Sequence, residues 1–244
     1  MPCHYTPDLT AESREVVITG EEYHHIAHVM RHGVGDALLL TSGAGVLADA
    51  NIERMDKRGL VARIAATRTF QKSRPLLACA FSLLRGKHDH LVVEKLTELG
   101  ASAFFPFVCE RSVRLQGGNT ADKFAAVAVA ALKQCDGAFL PTVQEPQPLE
   151  VAIAAVQAAG YTPLVASEAE RALMLPTALE QHSGDLCLVI GPEGGWSDAE
   201  RAWFAARGLP QVSLGNHVVR AETAAIAGMS MILGAQLKNN SQYY

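Results

Sequence analysis

Leu186-Cys187-Leu188-Val189-Ile190-Gly191-Pro192-Glu193-Gly194-Gly195-Trp196-Ser197-Asp198-Ala199-Glu200 carries three signals in one short stretch. Residues 186–190 are the most apolar short run of the chain and read as a buried strand. The proline and glycines after it read as a loop. Ser197, with Glu200 three residues on, is a capping-box sequence opening a helix that Gly208 ends. A strand, a glycine-rich loop and a capped helix in that order can hold a ligand against backbone N–H groups. A plain strand-to-helix turn has the same pattern. The loop is neither Gly-x-Gly-x-x-Gly nor a P-loop, since no Gly-Lys-Ser/Thr follows, which disfavours ordinary dinucleotide and nucleoside triphosphate sites.

On either side of this stretch apolar runs alternate with helical spacing. Residues 76–84, 103–108, 163–167 and 211–214 read as further strands. Residues 91–99, with Val92, Leu96 and Leu99 on one face and Gly100 as the stop, read as a helix, as do 122–134, 149–159 and 225–237. A connector containing Pro141, Pro146 and Pro148 precedes the third of these. The alternation predicts an α/β domain on a mainly parallel sheet over residues 74–244. Ligands in such sheets bind beyond the C-terminal strand ends, so the loops after Ser167, Ile190 and Leu214 are the candidate ligand loops.

Residues 1–73 read differently. Val16-Val17-Ile18 is a short apolar run, and Tyr23, Ile26, Ala27 and Met30 recur at helical spacing before Gly33 and Gly35. Strand-like stretches follow near 37–40, 46–52 and 60–65, with a turn at Gly43-Ala44-Gly45. This predicts a small β-rich domain.

Composition narrows the class. The chain has 244 residues, 49% hydrophobic and 19% charged, which excludes a disordered, collagenous or fibrous protein. No run approaches the 18 apolar residues of a membrane span, and Met1-Pro2-Cys3-His4 does not open a signal peptide, so no membrane association and a cytoplasmic location are expected. The five cysteines are scattered with no Cys-x-x-Cys pair. They read mostly as buried small hydrophobes rather than zinc, redox or disulfide residues, and nothing pairs Cys135 with a histidine base. A net charge of −4 gives no support for nucleic-acid binding, although a local basic face remains open.

Two histidine groups stand out. His24, His28 and His32 are spaced four apart on the expected helix, but no cysteine or carboxylate set accompanies them, and no metal site is expected. His88-Asp89-His90, with Arg85 and Lys87, reads as a charged loop suited to a phosphate backbone rather than as a metal or catalytic group. Near the C-terminus, Leu214-Gly215-Asn216-His217-Val218-Val219-Arg220-Ala221-Glu222-Thr223-Ala224 leads into the apolar helix. A charged Arg-x-Glu at that mouth is costly to bury unpaired. Its structural reading is a helix-entry ion pair, with Glu222 at the favourable positive end.

Together, GPEGGWSDAE and LGNHVVRAETAA resemble the RsmE family, SPOUT-class methyltransferases of small-subunit ribosomal RNA. The resemblance extends in order along nearly the whole chain. Tyr23-His24-His25-Ile26-Ala27-His28-Val29-Met30-Arg31 with Gly35-Asp36 is similar to the family's N-terminal signature. Lys87, Glu94-Lys95, Thr97-Glu98-Leu99-Gly100 and Glu110-Arg111-Ser112 are similar to its central pattern, and Gln134 to the glutamine of its next helix.

The resemblance implies an N-terminal PUA-like RNA-binding β-barrel over 1–73 and a SPOUT domain with a deep trefoil knot over 74–244. It implies S-adenosylmethionine as cofactor, a homodimer, and N3 of one uridine of 16S rRNA, within 30S subunits, as target. Carried onto this chain, Gly191, Pro192, Glu193, Gly194 and Gly195 form one wall of the cofactor pocket, and Leu214, Gly215, Val219 and Thr223 another. Arg220 would stabilise the uracil anion, with Glu222 orienting it or relaying the proton. His25, Arg31, Arg85, Lys87, Arg111 and Gln134 are the expected RNA contacts.

The chain departs from the family pattern at four places. His217 stands where the family has arginine, Cys135-Asp136-Gly137-Ala138 replaces Gly-Arg after Gln134, Lys123-Phe124 replaces Arg-Trp, and Cys3-His4 replaces Arg-Phe. The lost cations leave room for an RNA-binding or assembly protein without turnover, and within the enzyme class for another RNA site or 2′-O-methylation. The intact GPEGG and Arg-x-Glu-Thr segments favour N3 methylation.

Overall fold

The computed structural model describes residues 3–113, 118–182 and 184–239. The chain forms two compact units, Met1–Lys72 with Val129–Leu140, and Ser73–Ala128 with Pro141–Tyr244. The sequence reading puts residues 129–140 with the second domain, whereas here they group with the first. The reason is local bonding. Thr41 Oγ1 donates to the Gly137 carbonyl (2.8 Å), Gly45 N donates to Ala138 O (2.8 Å), and Lys133 pairs with Glu22 (2.8 Å).

In the first unit, β1 (Cys3–Tyr5), β2 (Glu15–Thr19), β3 (Ala37–Thr41), β4 (Val46–Met55) and β5 (Gly59–Thr69) form one sheet in the order β1-β3-β4-β5-β2. Only the β1–β3 pair is parallel. Register shifts at Asp49/Ala50 and Ile52/Arg54 increase the local twist of the long β4–β5 pair. Val16, Ile18, Leu38, Leu40, Ile52 and Leu60 face a common core.

The helix of this unit differs from the sequence reading. α1 (Gly20–His24) continues as a π-helical turn over His25–Val29, in which Met30 N bonds His25 O (2.9 Å). The wider turn rotates the face. Tyr23 and Ile26 are buried, while Met30 is exposed, and His32 falls beyond the helix. The His24 and His28 rings lie 5.0 Å apart, and no group of three metal-ligating side chains occurs among the described residues. His4 is fully buried, its Nδ1 2.7 Å from Glu22 Oε1. It is a core residue of this unit.

The second unit is the expected α/β domain. Its strands β6 (Leu77–Ser82), β7 (Ala103–Val108), β8 (Thr142–Val143), β9 (Gln147–Pro148), β10 (Thr162–Ala166), β11 (Leu186–Ile190) and β12 (Gln211–Val212) are all parallel, in the order β12-β10-β11-β6-β7-β8 with β9 also on β7. β6 and β11 lie side by side in the middle and are buried along their whole length, which is why both read as unbroken apolar runs. The proline-rich connector supplies the two short outer strands, where a missing N–H costs little.

Among the described residues five longer helices occur: α2 (His88–Glu98), α3 (Thr120–Gln134), α4 (Leu149–Ala158), α6 (Asp198–Ala206) and α7 (Ala221–Asn239), with the short α5 (Leu175–Gln181) between α4 and α6. α7 lies against α2, α5, β6 and β11. Phe124 of α3 is fully buried between Phe81 and His90, so the Lys123-Phe124 departure is filled by packing. No helix among the described residues is long and apolar enough to cross a membrane. Cys3, Cys79 and Cys187 are buried, as read from the sequence, and burial pushes the Cys3 thiol up to about 12; Cys135 is exposed.

Candidate functional site

The loop after β11 is built around Trp196. Its indole is fully buried, stacked on Phe107 (6.0 Å, 15°) and edge-on to Phe204, and Nε1 donates to the carbonyl of Ala166 at the end of β10 (2.7 Å). Gly191 lies against the same ring, where a Cβ would come within 2.8 Å of Cε2. Gly195 turns the chain at φ +68°, and its N–H closes onto Pro192 O (2.9 Å). The capping box is formed. Ser197 Oγ accepts from Glu200 N (3.2 Å), and Glu200 Oε2 accepts from Ser197 N (2.8 Å).

The Glu110-Arg111-Ser112 segment clasps this loop. Glu110 N donates to Glu200 Oε1 (3.0 Å), and Ser112 Oγ accepts from Cys109 N (2.8 Å). Arg111 Nη1 donates to the carbonyls of Gly194 (3.1 Å) and Trp196 (3.4 Å). The backbone N–H of Arg85 reaches Glu193 Oε1 (2.9 Å). Arg111 and Arg85, both expected RNA contacts, thus help hold the glycine-rich loop in shape.

Three loops at the C-terminal ends of β10, β11 and β12 surround a cavity of about 950 Å³, with Arg85, His88 and Val113 completing its lining. These are the loops expected from parallel-sheet geometry. From the first come Ser167, Glu168 and Arg171. That loop is pinned by Glu170, whose Oε1 accepts from Ala172 N and Leu173 N, and those bonds hold its carboxyl below the usual carboxylate range. The Ser167 hydroxyl is buried with no partner among the described residues, so it is open to a ligand in the cavity.

Gly191, Pro192, Glu193, Gly194, Gly195, Leu214, Gly215, Val219, Arg220 and Glu222 all line the cavity. Thr223 does not; it lies exposed on the first turn of α7. Arg85 lines the cavity, and Lys87 is exposed just before α2. Half-buried His25 and exposed Arg31 and Gln134 belong to the first unit.

Glu222 makes a partnership the sequence did not reveal. It is buried, and its Oε1 lies 2.9 Å from His88 Nδ1; among the described residues no ion pair joins it to Arg220. Its Oε2 is buried with no partner among the described residues. The sequence reads His88 as part of a charged loop with no catalytic role and gives no sign of its partner far along the chain, whereas the structure makes it the first residue of α2. Ser167 falls at the start of one of the expected ligand loops, but its unpartnered buried hydroxyl has no sequence signal.

Comparison with known proteins agrees with this geometry. Residues 72–233 match the family model of an RNA methyltransferase domain, and 18–65 that of an RNA methyltransferase PUA domain. The ribosomal RNA small subunit methyltransferase E of Mycobacterium bovis is 31% identical, over 93% of this chain and 89% of that protein. The enzyme of the same name from Neisseria gonorrhoeae, solved bound to S-adenosylmethionine, superposes with a TM-score of 0.87 at 24% identity, covering 96% of this chain and 98% of that one. A Legionella pneumophila methyltransferase, in complex with its bound cofactor S-adenosylmethionine, gives 0.81 at 26% identity, covering 96% and 97%. The chain belongs to the ribosomal RNA small subunit methyltransferase E family.

Proposed function

We propose that this protein methylates N3 of a uridine in 16S rRNA, with S-adenosylmethionine as methyl donor. The observation that carries the reading is the cavity. Three strand-end loops enclose it, and its glycine-rich wall is fixed from behind by Trp196 and Arg111. Its volume is in the range of small-molecule sites. The buried Ser167 hydroxyl and the backbone of the two glycine-bearing loops provide polar groups for a nucleoside, and relatives with this fold bind S-adenosylmethionine. When bound, that molecule supplies a methyl group activated by a sulfonium.

The protein's own part follows from uracil chemistry. N3–H is a weak acid, so the site must favour loss of the proton and stabilise an anion spread over N3 and the flanking carbonyl oxygens. Arg220, at the cavity wall, does this through charge-assisted hydrogen bonds to a carbonyl oxygen.

The same reading places the protein in the cytoplasm as a homodimer acting on 30S subunits. It also includes the trefoil knot. The chain leaves β12 at one edge of the sheet, and α7 then packs against β6 and β11 in the middle. His25, Arg31, Arg85, Lys87 and Gln134 remain proposed RNA contacts.

The test is methyl transfer from labelled S-adenosylmethionine to 30S subunits lacking ribosomal uridine methylation, followed by nucleoside mass spectrometry. The expected product is 3-methyluridine. A 2′-O-methylated nucleoside would replace the reaction proposed here. Cofactor binding without transfer would point to another RNA, and neither binding nor transfer to a non-catalytic assembly protein.

A further inference from the structure

We infer that His88, held from behind by Glu222, is the base that takes the N3 proton. This rests on the uridine-N3 reading above.

Arginine cannot serve as a base near neutral pH, which removes Arg85, Arg171 and Arg220 from the cavity's titratable groups. Of the three lining carboxylates, Glu193 accepts the backbone N–H of Arg85, Glu168 lies beside Gly195 and 4.0 Å from Arg201, and Glu222 is buried with Oε1 on His88. His217 is exposed, with no ion pair among the described residues to orient it. His88 differs from all of these. It lines the cavity, its side chain is 44% exposed, and its Nδ1 is 2.9 Å from a carboxylate that is itself only 10% exposed.

That arrangement has a direct chemical consequence. A carboxylate at Nδ1 keeps the ring proton on that nitrogen, so the neutral imidazole offers its lone pair at Nε2. Imidazole is also better matched to proton transfer near neutral pH than a carboxylate. Glu222 is placed to hold the ring. It sits in the first turn of α7, on the helix that packs against α2, whose first residue is His88. The relation is that of base and orienting acid in hydrolase triads, with Glu222 as the positioning residue.

The step then balances. N3 forms its bond to the methyl carbon as the methyl–sulfur bond breaks, and that bond's electron pair stays on sulfur, leaving S-adenosylhomocysteine. The N3 proton passes to His88 Nε2. The resulting imidazolium pairs with Glu222 and later loses its proton to solvent. Arg220 holds the carbonyl oxygen throughout. The charged and titratable groups around His88 are Arg85, Lys87, Asp89 and His90 near it in sequence, Glu193 from the loop after β11, His217 and Arg220 from the loop after β12, and Glu222 from α7.

The experiment compares the full-length wild type with His88→Ala, His88→Gln and Glu222→Gln in three measurements. Nitrogen-15 NMR of the free protein should show His88 protonated at Nδ1, a preference lost in Glu222→Gln. S-adenosylmethionine affinity should stay within about threefold in each variant. Single-turnover 3-methyluridine formation in the wild type should rise with pH to a plateau as one group deprotonates. His88→Ala and His88→Gln should be slower by roughly 100-fold or more and lack that ionisation. Added imidazole should partly restore His88→Ala, which a merely structural histidine would not permit. A His88 variant that keeps the wild-type rate and pH profile overturns the inference while leaving the uridine reading intact. So does a wild-type ring protonated at Nε2. If the wild type binds S-adenosylmethionine but forms no 3-methyluridine, both fall together.

Discussion

Gly191 and Trp196 are in face-to-ring contact, the glycine so close that a Cβ would sit 2.8 Å from the indole. The indole cannot retreat, since Phe107, Phe204 and the bond to Ala166 O hold it. Gly191→Ala therefore overpacks a fixed wall, at about 1–3 kcal/mol. For a chain of this size that is a fall in Tm of roughly 2–12 °C, with loss of S-adenosylmethionine binding. Calorimetry and thermal unfolding check both. An unchanged Tm would mean that the loop can move away from the ring.

Arg111 provides a contrast between two roles. Its guanidinium donates to Gly194 O and Trp196 O, so its deletion should loosen the cofactor wall. Arg111→Ala is expected to weaken S-adenosylmethionine binding by about five- to tenfold, as befits charge-assisted bonds made near the surface. Titration calorimetry reads this directly. Unaltered cofactor affinity with weaker binding to 30S subunits would return Arg111 to an RNA-contacting role.

Under the proposed mechanism, Arg220 should separate chemistry from binding. Replacing it with alanine should lower single-turnover methylation by roughly 100-fold or more, because a donor to the developing anion is lost, while cofactor affinity survives. Equal loss of both would make Arg220 structural.

Glu22 sets an acid limit on the first unit. Burial pushes its carboxyl up, but hydrogen bonds from His4 (2.7 Å) and Lys133 (2.8 Å) more than offset this and leave it below the usual value. A lowered folded-state pKa adds stability that is present above the ordinary carboxylate pKa and is lost as pH falls through the folded one. Unfolding midpoints measured from pH 6 to pH 3 should therefore fall more steeply in the wild type than in Glu22→Gln. Parallel curves would show that the cluster contributes no pH-dependent stability.

Local patterns in the sequence already carried the parallel sheet, the capping box at Ser197 and Glu200, and the three loops around the cavity. Strand runs, caps and strand-end loops are short-range signals, each set by residues a few positions apart. They were legible for that reason. The resemblance over GPEGG and Arg-x-Glu-Thr added the cofactor and the reaction.

The π-helical turn after His24 escaped such a reading, because one extra residue in a turn changes which side chains face inward without changing the spacing pattern. Residues 129–140 likewise lie within and after one continuous helix, yet bonds to Thr41, Gly45 and Glu22 decide that they belong with the first unit. The site shows the same division. The sequence named Glu222 and Arg111 by type, but their partners lie far along the chain. Only folding shows that Glu222 meets His88 rather than Arg220, and that Arg111 turns to the Gly194 carbonyl. The physical reason is that a buried carboxylate or a guanidinium takes whichever complementary group the packed elements bring within about 3 Å, and that choice is made by tertiary structure.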